Sequence, residues 1–395
     1  MIRARFFQDV SIQRVVIKVG TSLISDPDAP DGVNHAMIEK LRDEVLYLKA
    51  RGIDAMLVSS GAVGTGRHVL KAYGLHLQNE PSLTRRQALS AIGQSRIVSR
   101  YAQAFAEARI PVAQLLITAR DFRDRRAYLN IGHTLQELRE MGALAVINEN
   151  DTVSTDELQF GDNDLLSAVV ASLFDADLLM ILTSVGGFLF NGERVPELDR
   201  VTAKHREAAG GPEGPGRGGM STKIRAGELC SKTGGALAIL PGGHPAPVRA
   251  FFEREDIGTF IRVPHKKTLS ARKQWLLFAR AEGGVVIDSG AARALRERGS
   301  SLLSVGVRDV RGRFLAGEVI EIEDASGAVF GRGIAGFSSR EIKASLADDP
   351  GAIKATPASS DRHSDAKSPD ERGEDAGSAR NGDVLIHRND LMLED

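Results

Sequence analysis

Cysteine occurs once in the 395 residues, at Cys230, which excludes a disulfide within the chain and a cysteine-cluster zinc site. A lone thiol suits a reducing compartment. Aromatic residues make up only 5% of the chain, with a single tryptophan, too few to build rows of base-stacking side chains. Net charge is nearly absent as well. Lys and Arg total 51 against 52 Asp and Glu, so no chain-wide polyanion-binding surface exists, and only a local basic patch is left open. No apolar run reaches the roughly 18 residues of a membrane helix. The richest, Leu178 to Phe190, is broken by Thr183, Ser184, Gly186 and Gly187 and reads as strand, turn, strand. Gln8, Asp9, Gln13 and Arg14 interrupt any signal-peptide core. The expectation is a soluble, cytoplasmic protein without membrane contact. The nine histidines form no His-Glu-x-x-His motif, and no Ser/His/Asp or Cys/His set has a recognisable spacing.

What is present is ordinary in amount and informative in order. At 42% apolar residues, the chain can bury a sizeable core, and its length suits two domains. Val15 to Val19 reads as a buried strand closed by Gly20. Asn34 caps a helix whose Ile38, Leu41, Val45 and Leu48 fall at helical spacing and which stops by Gly52. Strands at 55–58, 112–117, 144–147, 178–182 and 237–240 alternate with helices around 87–108, 125–141, 165–174 and 221–231. That alternation predicts a parallel sheet covered on both faces, a three-layer α/β/α sandwich, with ligands gathering beyond the carboxyl ends of the strands. After about Arg280 the pattern changes. Short runs at 285–287, 319–322, 329–334 and 384–386, with a helix at 291–298, predict a small, mostly β domain. The expected domains are 10–265 and 280–395, the second interrupted at about 348–381 by a low-complexity insertion too poor in apolar residues to order itself.

Five polar clusters sit at expected strand ends. Lys18-Val19-Gly20-Thr21-Ser22 places a lysine inside an apolar strand, costly unless its ammonium finds a counter-charge; a snorkelling lysine at a strand edge is the plain alternative. Ser59-Ser60-Gly61-Ala62-Val63-Gly64 opens a helix with small residues whose amides can hold an anion, although a tight turn looks the same. It is not a Walker A loop, because no Gly-Lys-Ser/Thr follows. Asn148-Glu149-Asn150-Asp151 suits a polar substrate with an ammonium group, or is a solvated turn. Gly161-Asp162-Asn163-Asp164 offers more polar side chains than a helix cap needs. Gly211 to Lys223 is a glycine-rich loop entering a helix with Ser221, Thr222 and Lys223, which is either a mobile cover for a nucleotide or a linker. Two lysines, an aspartate and several anion-cradling turns together favour phosphoryl transfer, which needs positioning and charge neutralisation rather than a nucleophile from the protein.

These residues resemble the glutamate 5-kinases of the amino acid kinase fold. The matching stretches are Val16 to Thr21, Ser59 to Ala62, Gly93-Gln94-Ser95, Val146 to Asp151, Gly161 to Asp164 and Gly218 to Lys223. They come in the family's order between about residues 14 and 262. Gly299 to Leu303, Gly317 to Ile320 and Val384 to Arg388 look like the PUA domain that many of these kinases carry. The resemblance implies transfer of the ATP γ-phosphate to the side-chain carboxylate of L-glutamate, giving glutamyl 5-phosphate at the start of proline biosynthesis. It implies that Lys18 and Lys223 neutralise the transferring group and that Asp164 orients both. It further implies glutamate binding by Ser60, Asp151 and Asn163, and ATP binding by Lys18, Gly20, Thr183, Ser184, Gly218, Gly219, Met220 and Lys223. Mg2+ is expected on the nucleotide phosphates rather than in a protein cage. A homo-oligomer and inhibition by proline are part of the same implication. The sequence departs from the family's pattern at Thr183-Ser184-Val185-Gly186-Gly187, where Thr-Asp and then a lysine before the glycine are usual, and at Arg217, where threonine is usual. Weaker nucleotide contacts are expected from the first departure, and a compensating positive charge near the phosphates from the second. The alternative readings are a catalytically weakened regulatory homologue and an RNA-binding protein. The latter would use Arg293, Arg296, Arg298, Arg308, Arg311 and Arg313, but acidic residues follow that stripe closely.

Overall fold

The structure, a computed structural model, describes residues 2–75, 82–122, 124–154, 163–210, 219–262, 269–348 and 384–393. The chain divides into two compact units, Met1–Leu269 and Ser270–Asp395.

In the first unit, described strands and helices follow one another as α1 (Ile2–Asp9), β1 (Arg14–Val19), α2 (Thr21–Ile24), α3 (His35–Lys49), β2 (Asp54–Val58), α4 (Ala62–Ala72), α5 (Leu83–Ala106), β3 (Val112–Ile117), α6 (Arg125–Glu140), β4 (Leu144–Glu149), α7 (Asn163–Leu173) and β5 (Leu178–Thr183). After a hairpin of β6 (Leu189–Phe190) and β7 (Glu193–Arg194) come β8 (Glu197–Leu198), α8 (Ala203–Ala208), α9 (Met220–Thr233), β9 (Ala236–Pro241), α10 (Pro247–Phe252) and β10 (Thr259–Ile261). The sheet order is β3-β4-β2-β1-β5-β9-β10-β8. Its first six strands run parallel, while β10 is antiparallel to β9 and parallel to β8. Strands β4 and β5 are buried at every residue, which requires helices on both faces. The α/β/α sandwich expected from the alternation is the observed architecture.

One face packs Val15, Ile17 and Val19 of β1 against Ile38, Leu41, Val45 and Leu48 of α3, Ile97, Tyr101 and Phe105 of α5, and Val248 and Phe251 of α10. Full burial of one such side chain contributes roughly 2–3 kcal/mol. The Asn34 side chain accepts from the Met37 amide and starts α3 where the spacing placed it. Helix α1 had no sequence signal, because its apolar residues Ile2, Ala4, Phe6 and Phe7 are interrupted by Arg3 and Arg5. Phe6 and Phe7 nevertheless join Phe251, Phe252 and Phe260 in an aromatic cluster with centroids 5.1–5.7 Å apart. The opposite face carries α7 and α9, which pack on β1, β5 and β9 and on each other. The chain leaves β1 toward α3 on one face, whereas the helix following β5 along the sheet, α9, lies on the other. The strand order thus reverses between β1 and β5, and ligands of an open α/β sheet gather at the carboxyl ends of the strands at such a point.

Two contacts fix α4 against α5. A Cβ on Gly66 would lie 1.9 Å from the Leu89 carbonyl oxygen, and one on Gly93 would lie 1.9 Å from that of Ala62. Helices α4 and α5 thus touch backbone to backbone, and only glycine fits at either position.

The second unit forms the sheet β13-β11-β14-β15-β17 from β11 (Gly283–Ile287), β13 (Val307–Gly312), β14 (Val319–Glu323), β15 (Val329–Ile334) and β17 (Leu391–Leu393), with β12 (Leu302–Leu303) pairing β16 (Val384–Ile386). Val285, Ile287, Ile320, Ile322 and Phe330 alternate inward and pack on Leu295, Ile342 and Leu385. The expected helix is α12 (Ser289–Arg298), begun by Asp288 accepting from the Ala291 amide and ended by Gly299 at φ 56. Helices α11 (Ala271–Phe278) and α13 (Ser339–Asp348) were not expected; their apolar stripes are narrow and mixed with charge. The low-complexity insertion expected at about 348–381 falls almost wholly on residues 349–383, outside the described residues.

Candidate active site

Lys18 sits one residue from the end of β1, on the face opposite Ile17 and Val19, beneath α7 and α9. Its Nζ lies 2.6 Å from Asp164 Oδ1, and Lys223 Nζ lies 2.9 Å from Asp164 Oδ2. The three side chains are 5%, 7% and 0% exposed for Lys18, Lys223 and Asp164. Two ammonium groups on one carboxylate leave a net positive charge in a nearly dry site, where it attracts an anion far more strongly than it would in water. Gly219 caps α9 without a side-chain hydrogen bond, so the positive end of that helix adds to the field. Thr222 Oγ1 lies 2.9 Å from Asp164 Oδ2 and 2.8 Å from the Gly219 carbonyl; its one proton serves one acceptor at a time.

Gly20 and Thr183 border this cluster. The Gly20 amide donates to the Leu182 carbonyl at 3.1 Å, and the Thr183 carbonyl accepts from the Gly242 amide at 2.8 Å. A Cβ on Gly20 would meet only the Leu182 oxygen, at 3.5 Å, so the fold itself does not demand glycine there. Ser184 is exposed and Met220 half-buried. Gly218, like Arg217, lies outside the described residues.

A second group surrounds Asn163, the first residue of α7. Its Nδ2 lies 2.6 Å from the Ser59 carbonyl, 2.9 Å from Ser60 Oγ and 2.7 Å from Asn148 Oδ1, and so spreads two N–H groups over three acceptors. It ties the ends of β2 and β4 to the start of α7. Gly61 adopts φ 93 at the head of α4, and a Cβ there would lie 2.9 Å from Ser25 Oγ. Here the turn does require glycine.

Asp151 stands on the loop that follows β4. Ser90 Oγ of α5 donates to its Oδ2 at 3.0 Å. Burial pushes the Asp151 carboxyl above its ordinary range, opposed by the Ser90 hydrogen bond and by the charge of Arg86.

The structure therefore brings Lys18, Asp164 and Lys223 together, with Gly20, Thr183 and Gly219 beside them, and Ser60 together with Asn163. Thr222, Asn148 and Ser90 were not singled out from the sequence. The first two lie inside clusters that were, and their neighbours marked them; Ser90 looks like any small residue on an amphipathic helix. Among the described residues no group of three His, Cys, Asp or Glu could hold a metal ion, and no helix is long and apolar enough to cross a membrane. In the second unit, Arg308 pairs with Asp288 at 2.6 Å, Arg311 with Asp309 at 3.6 Å, and Arg296 stacks on Phe330 with 4.3 Å to the ring centroid. Half of the arginine stripe is thus engaged within the chain.

Known proteins resemble this chain along most of its length. The amino acid kinase family model matches residues 13–239 and the PUA domain model residues 283–347. The glutamate 5-kinase of Myxococcus xanthus is 40% identical over 84% of this chain and 89% of its own length. That of Trichlorobacter lovleyi is 38% identical over the same shares, and that of Thermosynechococcus vestitus is 39% identical over 84% of this chain and 91% of its own. Among solved structures, Giardia carbamate kinase aligns at 18% identity and a TM-score of 0.46, over 64% of this chain and 99% of that one.

Proposed function

The chain belongs to the glutamate 5-kinase family, with an amino acid kinase domain followed by a PUA domain, and from that premise we propose how its residues divide the work. The enzyme transfers the γ-phosphoryl group of ATP to the side-chain carboxylate of L-glutamate, forming glutamyl 5-phosphate, the first intermediate of proline biosynthesis. The observation that carries the division is the buried Lys18–Asp164–Lys223 cluster. An acyl phosphate forms by attack of one anion on another, so the barrier is largely repulsion and is lowered by fixed positive charge. Lys18 and Lys223 supply that charge on either side of the transferring group. Asp164 holds both ammonium groups at a fixed separation before substrate arrives, so little reorganisation remains for the reaction itself.

Gly20, Thr183, Ser184, Gly218, Gly219 and Met220 would line the nucleotide. At Gly20 the fold tolerates a Cβ and the amide is already bonded to the Leu182 carbonyl, so glycine there would leave room for the phosphates rather than supply them a donor. Ser60, Asn163 and Asp151 would hold glutamate, with Asp151 as the counter-charge to its ammonium group. Mg2+ would enter on ATP and screen the phosphate oxygens. Both oxygens of Asp164 already face lysines, a donor set that suits an ion carried by phosphates and water rather than a protein cage.

ADP release by the purified protein with ATP and Mg2+ tests the reading, comparing L-glutamate with N-acetylglutamate, aspartate, UMP and carbamate. Hydroxylamine trapping checks for the acyl phosphate. Glutamate-dependent turnover with trapping is expected; turnover with another acceptor alone would overturn it. Proline added to the same assay tests the inhibition that the resemblance implies.

A further inference from the structure

Helix α5 carries a row of three polar side chains at positions 87, 90 and 94, spacings of three and four that place them on one face. Each donates a hydrogen bond to the segment that leaves β4. Gln94 Nε2 reaches the Glu149 carbonyl at 3.3 Å, Ser90 Oγ reaches Asp151 Oδ2 at 3.0 Å, and Gln87 Nε2 reaches the Ser154 carbonyl at 3.0 Å. The two glutamines hold backbone. Ser90 alone holds a side chain, the carboxylate assigned above to the substrate's ammonium group.

We propose that Ser90 is a positioning residue for glutamate binding, fixing the rotamer of Asp151 so that its second oxygen faces the substrate. The serine is fully buried, and its helix is locked against α4 by the Gly66 and Gly93 contacts, so its hydroxyl has little freedom to turn elsewhere. A carboxylate on an unsupported loop would sample several rotamers, and binding would first have to select one. The hydroxyl also donates to the charged form, which offsets part of the burial that disfavours ionisation of Asp151. Ser90 touches no reacting atom in this account; it acts through Asp151, and the inference rests on the role given to Asp151.

The test is a set of steady-state measurements on the full chain: Ser90→Ala, Asp151→Ala and the double variant. A hydrogen bond to a charged group justifies an expected rise of about tenfold in KM for glutamate in Ser90→Ala, with kcat and the KM for ATP held within about twofold. Loss of support for the fold in general would lower kcat and ATP binding together. In the Asp151→Ala background, the serine substitution should add nothing. Ser90→Cys, which keeps the volume and a weaker donor, should fall between wild type and alanine, and replaces Ser90→Ala if that variant does not fold. A rise for Asp151→Ala but none for Ser90→Ala overturns the proposal and leaves the assignment of Asp151 standing. An equal rise for Ser90→Ala with and without Asp151 also overturns it, since the serine would then act by another route. No rise for Asp151→Ala removes the assignment itself and the proposal with it.

Discussion

The two halves of the proposed site are built from different chemistry. On the nucleotide side, Lys18, Asp164 and Lys223 form a buried ionic cluster with contacts of 2.6 and 2.9 Å. On the acceptor side, Asn163, Ser60 and Asn148 form a neutral network of amides and a hydroxyl, and Asp151 is held by Ser90 on the loop that follows β4. The contrast follows the reaction. Where a phosphoryl group passes between two oxygens, charge must be neutralised, and a preset pair of cations does this without discriminating among acceptors. Where an amino acid must be told from its analogues, directional neutral donors and acceptors serve better, because a mismatched ligand leaves one of them buried and unpaired. Rate should therefore reside in the first half and selectivity in the second.

The sharpest way to break this division is Asp164→Ala. Two buried ammonium groups would lose the carboxylate that they share, at a cost of about 3–5 kcal/mol of stability. Turnover should fall together with the denaturation midpoint, measured by urea unfolding and by ADP release. A folded variant of unchanged stability would mean that the lysines find other partners. Next in size is Lys223→Ala. Its charge matters most while the phosphoryl group is in flight, so kcat should drop by roughly 10²–10³, with KM for glutamate almost unmoved. A variant that keeps kcat and loses glutamate affinity would reverse the assignment of the two halves.

The same contrast explains what could be read from the sequence. The nucleotide half was legible because charge in an apolar strand and glycines before a helix are anomalies that call for a partner. Lys18 inside Val15 to Val19 and Lys223 after a glycine-rich loop called for a carboxylate partner, and the family resemblance named Asp164. The parallel sandwich was legible for a related reason: strands buried at every residue read as continuous apolar runs. The acceptor half was only partly legible. Asn163 and Asp151 lay in conspicuous clusters, yet Ser90 is an ordinary helical serine, and its meaning depends on a contact 61 residues away in sequence. Helix α1 escaped for the same reason, since its stability comes from Phe251, Phe252 and Phe260 rather than from its own pattern.

Asp151 permits a test that does not depend on turnover. Burial, the largest influence, raises its folded pKa above the ordinary value of 3.8. A carboxyl that binds protons more tightly when folded costs stability at pH values above its raised pKa, and the cost disappears as pH falls below the ordinary value. Asp151→Asn should therefore unfold at a higher urea concentration than the parent near pH 7, and the gap should close on acidification toward pH 4. In the proposed division of roles, that cost is offset when the ionised form meets the ammonium group of glutamate. A gap that widens at low pH would mean that the folded carboxyl is stabilised as an anion, with Arg86 dominating over burial.

The smallest expected effect lies at the rim of the nucleotide half, where this chain departs from its family. Ser184 and Val185 follow β5 in an exposed turn, with Val185 46% exposed, and a Cβ on Gly186 would have nothing within 4 Å. The turn therefore has room for the aspartate and the lysine that the family usually carries, and neither would disturb packing. Charges in such exposed positions are screened by water and salt, so each contributes only about 0.2–1 kcal/mol. Gly186→Lys, which adds one positive charge, should lower KM for ATP by about two- to fivefold in low salt. The gain should shrink at higher ionic strength, and kcat and KM for glutamate should stay within error. This sharpens the comparison from the opposite direction. If rim charges tune nucleotide affinity alone, then rate belongs to the buried cluster and not to the general positive potential of that half. A change in kcat of similar size would show instead that the turn is coupled to the buried cluster, and that the nucleotide half is less rigid than its buried ion pairs imply.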